Sequence, residues 1–233
     1  MHRRQFSSAA ACALGIASIA WHQAHALSLG DLSNTEVSQG LKTALERGAV
    51  AAVSLLGKPD GFLGNPKVRI PLPGYLADAG KLMRALGRGH QVEELEVAMN
   101  RAAEAAVPLA RDLLVNAVKA MTVTDAKDIL SGGNTSVTDF FAQKTRAPLG
   151  GRFLPVVTQA TRKVGLAEKY NRVAGKAAGM GLLKKDDAAI EPYVTRKSLD
   201  GLYAMIGEEE KKIRQDPAGT GNAILRKVFG SVK

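Results

Sequence analysis

The chain has 233 residues, of which 45% are apolar, and a net charge of +10; it holds a single cysteine, a single tryptophan and four histidines. That length and apolar fraction suffice for one domain with a real core. Cys12, His2, His22 and His25 all precede residue 27, so the body of the chain carries only His90, which excludes disulfides, thiolate nucleophiles and Cys- or His-based zinc sites there.

The first residues, MHRRQFSSAAACALGIASIAWHQAHA, combine a basic start, an apolar stretch over 9–21 and an A-x-A cleavage signal at Ala24-His25-Ala26. This predicts a secretory leader, residues 1–26, removed from a mature domain of residues 27–233. The apolar stretch is shorter than the roughly 20 residues a membrane span needs. Export places the mature chain in the periplasm. Arg3-Arg4-Gln5-Phe6 also matches part of a twin-arginine signal, so the general and twin-arginine routes both stay open.

Residues 32–56 repeat apolar side chains at three- and four-residue steps, with Ser33 or Asn34 as cap, and predict an amphipathic helix. Residues 59–74, PDGFLGNPKVRIPLPG, hold four of the nine prolines and predict an extended strap that cannot be helical. A short helix over 75–86 follows, stopped by Gly87-Arg88-Gly89.

The strongest element spans 92–121. Leu95, Met99, Ala102, Ala106, Leu109, Leu113, Ala117 and Ala120 form a seam at alternating steps of four and three, and Val97 and Val115 make the opposite side partly apolar. Such a helix belongs in the middle of a bundle, bent at Pro108. Further helices are predicted over 124–130, with Asp125 and Asp128 in the first turn after Thr124, and over 136–146 with Phe140 and Phe141 inward. Others follow over 152–164 with Pro155 in the first turn, over 166–178, and over 187–214 with breaks at Pro192 and Gly207. A last helix places Ile224, Leu225, Val228 and Phe229 on one docking face. The predicted fold is therefore all-α: a single-domain multi-helix bundle with a long central helix and a proline-rich extended strap.

Several stretches, taken in order, resemble one known family. They are Gly40-Leu41-Lys42 with Ala44-Leu45, Asp60-Gly61-Phe62-Leu63 with Asn65, Ile70-Pro71-Leu72-Pro73, Met99-Asn100-Arg101-Ala102-Ala103-Glu104, Met121-Thr122 with Asp125-Ala126, Tyr193-Val194-Thr195, Leu199-Asp200-Gly201-Leu202, and Glu209-Glu210 with Ile213-Arg214. Together they are similar to the bacterial exported family catalogued as domain of unknown function 4197, over about residues 29–230. The resemblance implies export, a helical fold and one domain; it brings no catalytic or binding residues with it.

Asn100, Arg101 and Glu104 lie within one turn of the central helix, so their polar ends can meet. Inside a bundle they form either a ligand-binding site or a structural polar network that serves the strap's unpaired backbone groups. The strap residues Phe62, Asn65, Ile70, Pro71, Leu72 and Pro73 pack across the helices or wall a groove; alternatively Phe62 and Leu63 dip into a membrane surface beside Lys58, Lys67 and Arg69. Glu208-Glu209-Glu210 reads as an exposed face, with Glu208 paired to Lys212 and Glu210 to Arg214.

No phosphate-binding loop, dinucleotide fingerprint, nucleophile elbow, H-E-x-x-H or EF-hand run occurs, so no cofactor and no metal is expected. His90 reads as a solvated loop residue. The positive charge favours anionic envelope partners such as lipid headgroups, although its cations are interspersed with acids. The few aromatic residues argue against nucleic acid.

The sequence thus predicts an exported, non-enzymatic protein that binds an apolar or amphipathic envelope ligand or a protein partner between the central helix and the strap. Two rivals remain. One is a carboxylate-dependent hydrolase of envelope glycan using Glu104 with Asp139 or Asp200; the other is a ligand-free scaffold.

Overall fold

The computed structural model describes residues 34–181 and 188–216, with the side chains of 34–37, 75 and 177 left aside. The predicted leader, the Ser33 cap and the terminal helix of Ile224, Leu225, Val228 and Phe229 lie outside the described residues.

Within the described residues the fold is all-α, with no strand. Its helices are α1 (Asn34–Leu56), α2 (Gly74–Ala85), α3 (Gly89–Ala106), α4 (Ala110–Lys119), α5 (Val123–Ser131), α6 (Ser136–Thr161), α7 (Gly165–Gly179) and α8 (Ile190–Gln215). The two longest, α6 and α8, pack along each other, and α3 lies against both. Helix α1 covers α4 and α8, α2 packs on α3, and α7 touches α3 and α8. The core lies where these meet: Leu41 and Leu56 of α1, Leu95 and Met99 of α3, Phe141, Leu149 and Phe153 of α6, and Ile190 and Leu202 of α8 are fully buried.

The long central helix is two helices. Pro108 lacks the backbone donor that would continue the ladder, and α3 gives way to a single 3-10 turn, Val107–Leu109, before α4. The predicted seam holds as far as Ala106 and then moves. Leu95, Met99, Ala102 and Ala106 are buried, but beyond the bend the buried face is Ala110, Leu114 and Val118, while Leu109 is 41% exposed. The cause is a change of neighbour. Helix α3 packs on α6 and α8, whereas α4 packs mainly on α1, so a different stripe is covered.

Three predicted interruptions, in two helices, are absent. Helix α6 runs unbroken through Pro148 and Pro155, where the sequence pattern suggests a gap between two helices. Both prolines are exposed, and so are Lys144 and Gly151, whose carbonyls lose their partners four residues on. Those carbonyls are left to water rather than to the core, which makes the loss tolerable. Helix α8 is likewise continuous: Pro192 is its third residue, where an N–H has no intrahelical partner anyway, and Gly207 only brings α8 close to Thr138 of α6. Helix α5 begins one residue earlier than predicted, because the cap is Thr122: its hydroxyl accepts from the Asp125 N–H at 3.1 Å, and the Asp125 carboxylate accepts from the Thr122 N–H at 2.8 Å.

Candidate functional site

Residues 57–73 form the strap, and their problem is chemical. The expected extended course holds only over residues 69–73; residues 57–68 are a run of tight turns, with Gly61 N–H donating to the Lys58 carbonyl, Gly64 N–H to Asp60 and Asn65 N–H to Phe62, and the buried N–H and C=O groups left over have no ladder to satisfy them. Helix α3 supplies the missing partners from side chains one turn apart. Asn100, fully buried, accepts from the Ile70 N–H at 2.8 Å and donates to the Ile70 carbonyl at 3.0 Å and to the Glu96 carbonyl at 2.8 Å. Glu104 is buried as well. Its Oε1 accepts from the N–H groups of Phe62 and Leu63, both at 3.0 Å, and its Oε2 accepts from Arg101 at 2.6 Å.

Arg101 is half-buried and reaches outward to Asp60 at 2.8 Å, so the ion pairs form a chain from strap to helix. Hydrogen bonds to Glu104 first, and then to Asp60, hold the Arg101 guanidinium more basic than usual. Asp60 has a left-handed backbone, φ 64°, a conformation that Asp tolerates better than most residues. The next residue must be glycine, since a Cβ at Gly61 would collide with the carbonyls of Leu55 and Leu56.

The remaining strap residues are held from several sides. Asn65 closes a turn, its side chain accepting from the Lys67 N–H and its carbonyl from the Val68 and Arg69 N–H groups. Tyr193 donates to the Pro71 carbonyl at 2.9 Å, Leu72 is buried, and Pro73 leads directly into α2. Phe62 is fully buried against α8, where a Cβ at Gly201 would lie 2.7 Å from its Cε1. This corrects the membrane-tip expectation, since Phe62 has no exposed surface to insert. The groove expected between the central helix and the strap is occupied by Phe62, Ile70 and Leu72, at most 7% exposed.

A second buried glutamate uses the same device. Glu210 was expected on an exposed face, yet it is buried and accepts from the N–H groups of Val137 and Thr138, each at 3.2 Å, which are unpaired donors of the first turn of α6. Arg214 completes the unit: it pairs with Glu210 at 3.0 Å and donates to Ser136 Oγ at 2.7 Å and to the Ile129 carbonyl at 3.1 Å, tying the end of α8 to the α5–α6 turn. Its neighbours also differ from expectation. Glu208 pairs with Lys67 of the strap at 2.6 Å rather than with Lys212, because the strap brings a cation within reach, and Lys212 turns to Glu209 at 2.7 Å. Spacing carried a signal for Glu210, which continues the buried series of Leu199, Leu202 and Ile206.

The open space lies elsewhere. Asp125, Asp128 and Ile129 of α5, the turn at Gly132, Gly133 and Thr135, and Ser136, Asp139, Phe140 and Gln143 of α6 line a hollow of about 590 Å³. A second hollow of about 220 Å³ adjoins it, lined by Leu113, Asn116 and Ala117 of α4, by Ala120 and Met121, and by Phe140, Lys144 and Thr145 of α6. Asp125 and Phe140 belong to both, so the two form one cleft. Leu113, half-buried against the core, and Ala117 and Ala120, which lie off the buried face of α4, provide much of its apolar wall.

The outer hollow carries three carboxylates. The Thr122 backbone N–H, and then its hydroxyl, hold the Asp125 carboxyl below the ordinary carboxylate range. Asp139 accepts from the Thr135 hydroxyl at 3.0 Å. Neither Glu104 nor Asp200 lines this cleft: both oxygens of Glu104 are engaged beneath the strap, and Asp200 pairs with Arg146 at 2.9 Å. Among the described residues no group of His, Cys, Asp or Glu is arranged to hold a metal ion, and no helix is long and apolar enough to cross a membrane. His90 is exposed near the start of α3.

The model of a family described as "Protein of unknown function (DUF4197)" matches residues 31–230. Comparison with curated proteins and with solved structures found no match.

Proposed function

The chain belongs to the DUF4197 family, and we propose that it acts in the periplasm after export, by binding rather than catalysis, with an amphipathic envelope molecule seated in the cleft between α4, α5 and α6. The observation that carries this reading is the adjacency of two chemically different hollows. The inner one is walled mainly by Leu113, Ala117, Ala120, Met121 and Phe140, and the outer one is rimmed by Asp125, Asp128 and Asp139. An apolar chain suits the first, and an amine-bearing headgroup suits the second. The outer volume falls in the range of small-molecule sites, which combine apolar walls with a few placed polar groups.

The basic net charge points to anionic partners in general, but this cleft has the opposite sign. The ligand class is therefore a zwitterionic or cationic amphiphile rather than an anionic one. Catalysis is disfavoured because the best-placed buried carboxylates, Glu104 and Glu210, are each consumed by backbone N–H groups and an arginine.

The test is mass spectrometry of lipid extracts from the protein purified out of its own periplasm, beside an Ala117→Trp variant that fills the inner hollow. The reading expects an amine-bearing amphiphile with the wild type and its loss from the variant at unchanged melting temperature. Wild-type protein free of lipid would end it.

A further inference from the structure

The end of α8 is bonded to one wall of the acid-rimmed hollow. Arg214, two residues before Asp216, is bonded to Ser136 Oγ and to the Ile129 carbonyl, and both Ser136 and Ile129 line the outer hollow. The end of α8 is thus fastened to the wall of the cleft, and residues 217–233 follow Asp216 in the sequence. Their chemistry is complementary to it. They include Arg226, Lys227 and Lys233 and no Asp or Glu, whereas the hollow gathers Asp125, Asp128 and Asp139.

The apolar pattern matches too. Ile224, Leu225, Val228 and Phe229 share one side at helical spacing, with Arg226 and Lys227 on the other. Residues 217–223, which include Pro217, Gly219 and Gly221, separate this stretch from α8. Fully extended, they span roughly 24 Å, enough to turn back onto a cleft wall that α8 already touches.

We infer that residues 217–233 of this chain dock in the cleft between α4, α5 and α6, with the apolar side toward Phe140 and the inner hollow and with Arg226 and Lys227 facing the acidic rim. The chain then carries its own competitor for the cleft, and a ligand must displace it. This goes beyond the ligand reading, because docking of the segment requires no bound amphiphile. Tethering makes the contact intramolecular at an effective concentration in the millimolar range, so even a weak contact is well occupied. The interaction is part ionic and weakens with salt.

The experiment uses the full chain, stripped of lipid and carrying Cys12→Ser so that no other thiol reports. Ser231→Cys is paired in one protein with Gln143→Cys, on the cleft, and in another with Arg47→Cys, on the exposed side of α1; both are treated with a short thiol-reactive crosslinker. The inference expects crosslinking within one chain to Gln143→Cys at about ten times the yield to Arg47→Cys, and its loss when Arg226→Glu and Lys227→Glu are added. Equal yields at the two sites, crosslinks only between chains, or a yield indifferent to charge reversal would each overturn it. Because lipid is absent throughout, these outcomes do not depend on whether the amphiphile reading survives.

Discussion

Asn100 meets both backbone polar groups of a single residue, Ile70, accepting from its N–H at 2.8 Å and donating to its carbonyl at 3.0 Å. One side-chain amide thereby makes the two-bond exchange that a neighbouring strand would make in an antiparallel pair. The strap has no strand beside it, and Asn100 stands in for one.

Replacing Asn100 by Leu is therefore expected to cost about 2–4 kcal/mol, since it strands two buried backbone groups at roughly 1–3 kcal/mol each, offset in part by the apolar gain. Asn100→Asp keeps an acceptor for the Ile70 N–H but loses the donor to the Ile70 and Glu96 carbonyls and adds a buried charge. Chemical denaturation of both variants checks this. Equal stability of Asn100→Leu and wild type would contradict it.

Glu104 and Arg101 are expected to behave unequally although they form one ion pair. Glu104→Ala leaves the Phe62 and Leu63 N–H groups and the Arg101 guanidinium without their acceptor, and about 3 kcal/mol or more is expected to be lost. Arg101→Ala removes a half-exposed partner whose place water can take, so a clearly smaller loss than for Glu104→Ala is expected. Thermal melts of the two variants measured side by side decide the order.

The legible part of this fold was what local pattern encodes. The spacing of Leu95, Met99, Ala102 and Ala106 identified the buried face of α3, and Asn100, Arg101 and Glu104 were recognisable as one cluster because polar groups one turn apart on a buried helix must find partners. The prolines of residues 59–74 likewise announced a non-helical strap, although it is extended only over 69–73 and folds as successive turns before that. What escaped depended on neighbours that no local pattern names. Residues 147–151 read as a gap, and Pro155 as the first turn of a new helix, because nothing in sequence shows that Pro148 and Pro155 face water. Glu210 read as surface because its spacing to Arg214 is also that of an exposed ion pair. The cleft was illegible, since it needs α4, α5 and α6 in their spatial order and a bend that moves the buried face of α4 to Ala110, Leu114 and Val118.

Gly201 tests the close approach of α8 to the strap. A methyl group there would lie 2.7 Å from Phe62 Cε1 and 3.3 Å from Val68 Cβ, so Gly201→Ala is expected to destabilise by about 1–3 kcal/mol through overpacking. Adding Phe62→Leu is expected to recover part of that loss in a double-mutant cycle, because the clash is with the ring. Strictly additive effects would show that the strain lies elsewhere.

Asp125 gives a pH signature. Its folded-state pKa is depressed, first by the Thr122 backbone N–H and then by the Thr122 hydroxyl. A depressed carboxyl contributes stability that is fully present above its unfolded-state value, near 3.8, and is lost as pH falls through the folded value. The stability gap between wild type and Asp125→Asn is therefore expected to be constant above about pH 5 and to narrow below about pH 4, as followed by urea unfolding at several pH values. A gap independent of pH would contradict the charged capping box.

The account divides the molecule into a strap seat that holds the fold and a cleft that binds. Mass spectrometry of lipid extracts from wild type, Asn100→Asp and Ala117→Trp proteins, each produced in the native host and purified in the same way, tests that division most directly. The account predicts a co-purifying amphiphile with wild type and with Asn100→Asp, despite the latter's lower stability, and none with Ala117→Trp. An amphiphile retained by Ala117→Trp and lost from Asn100→Asp would place binding at the strap and contradict it.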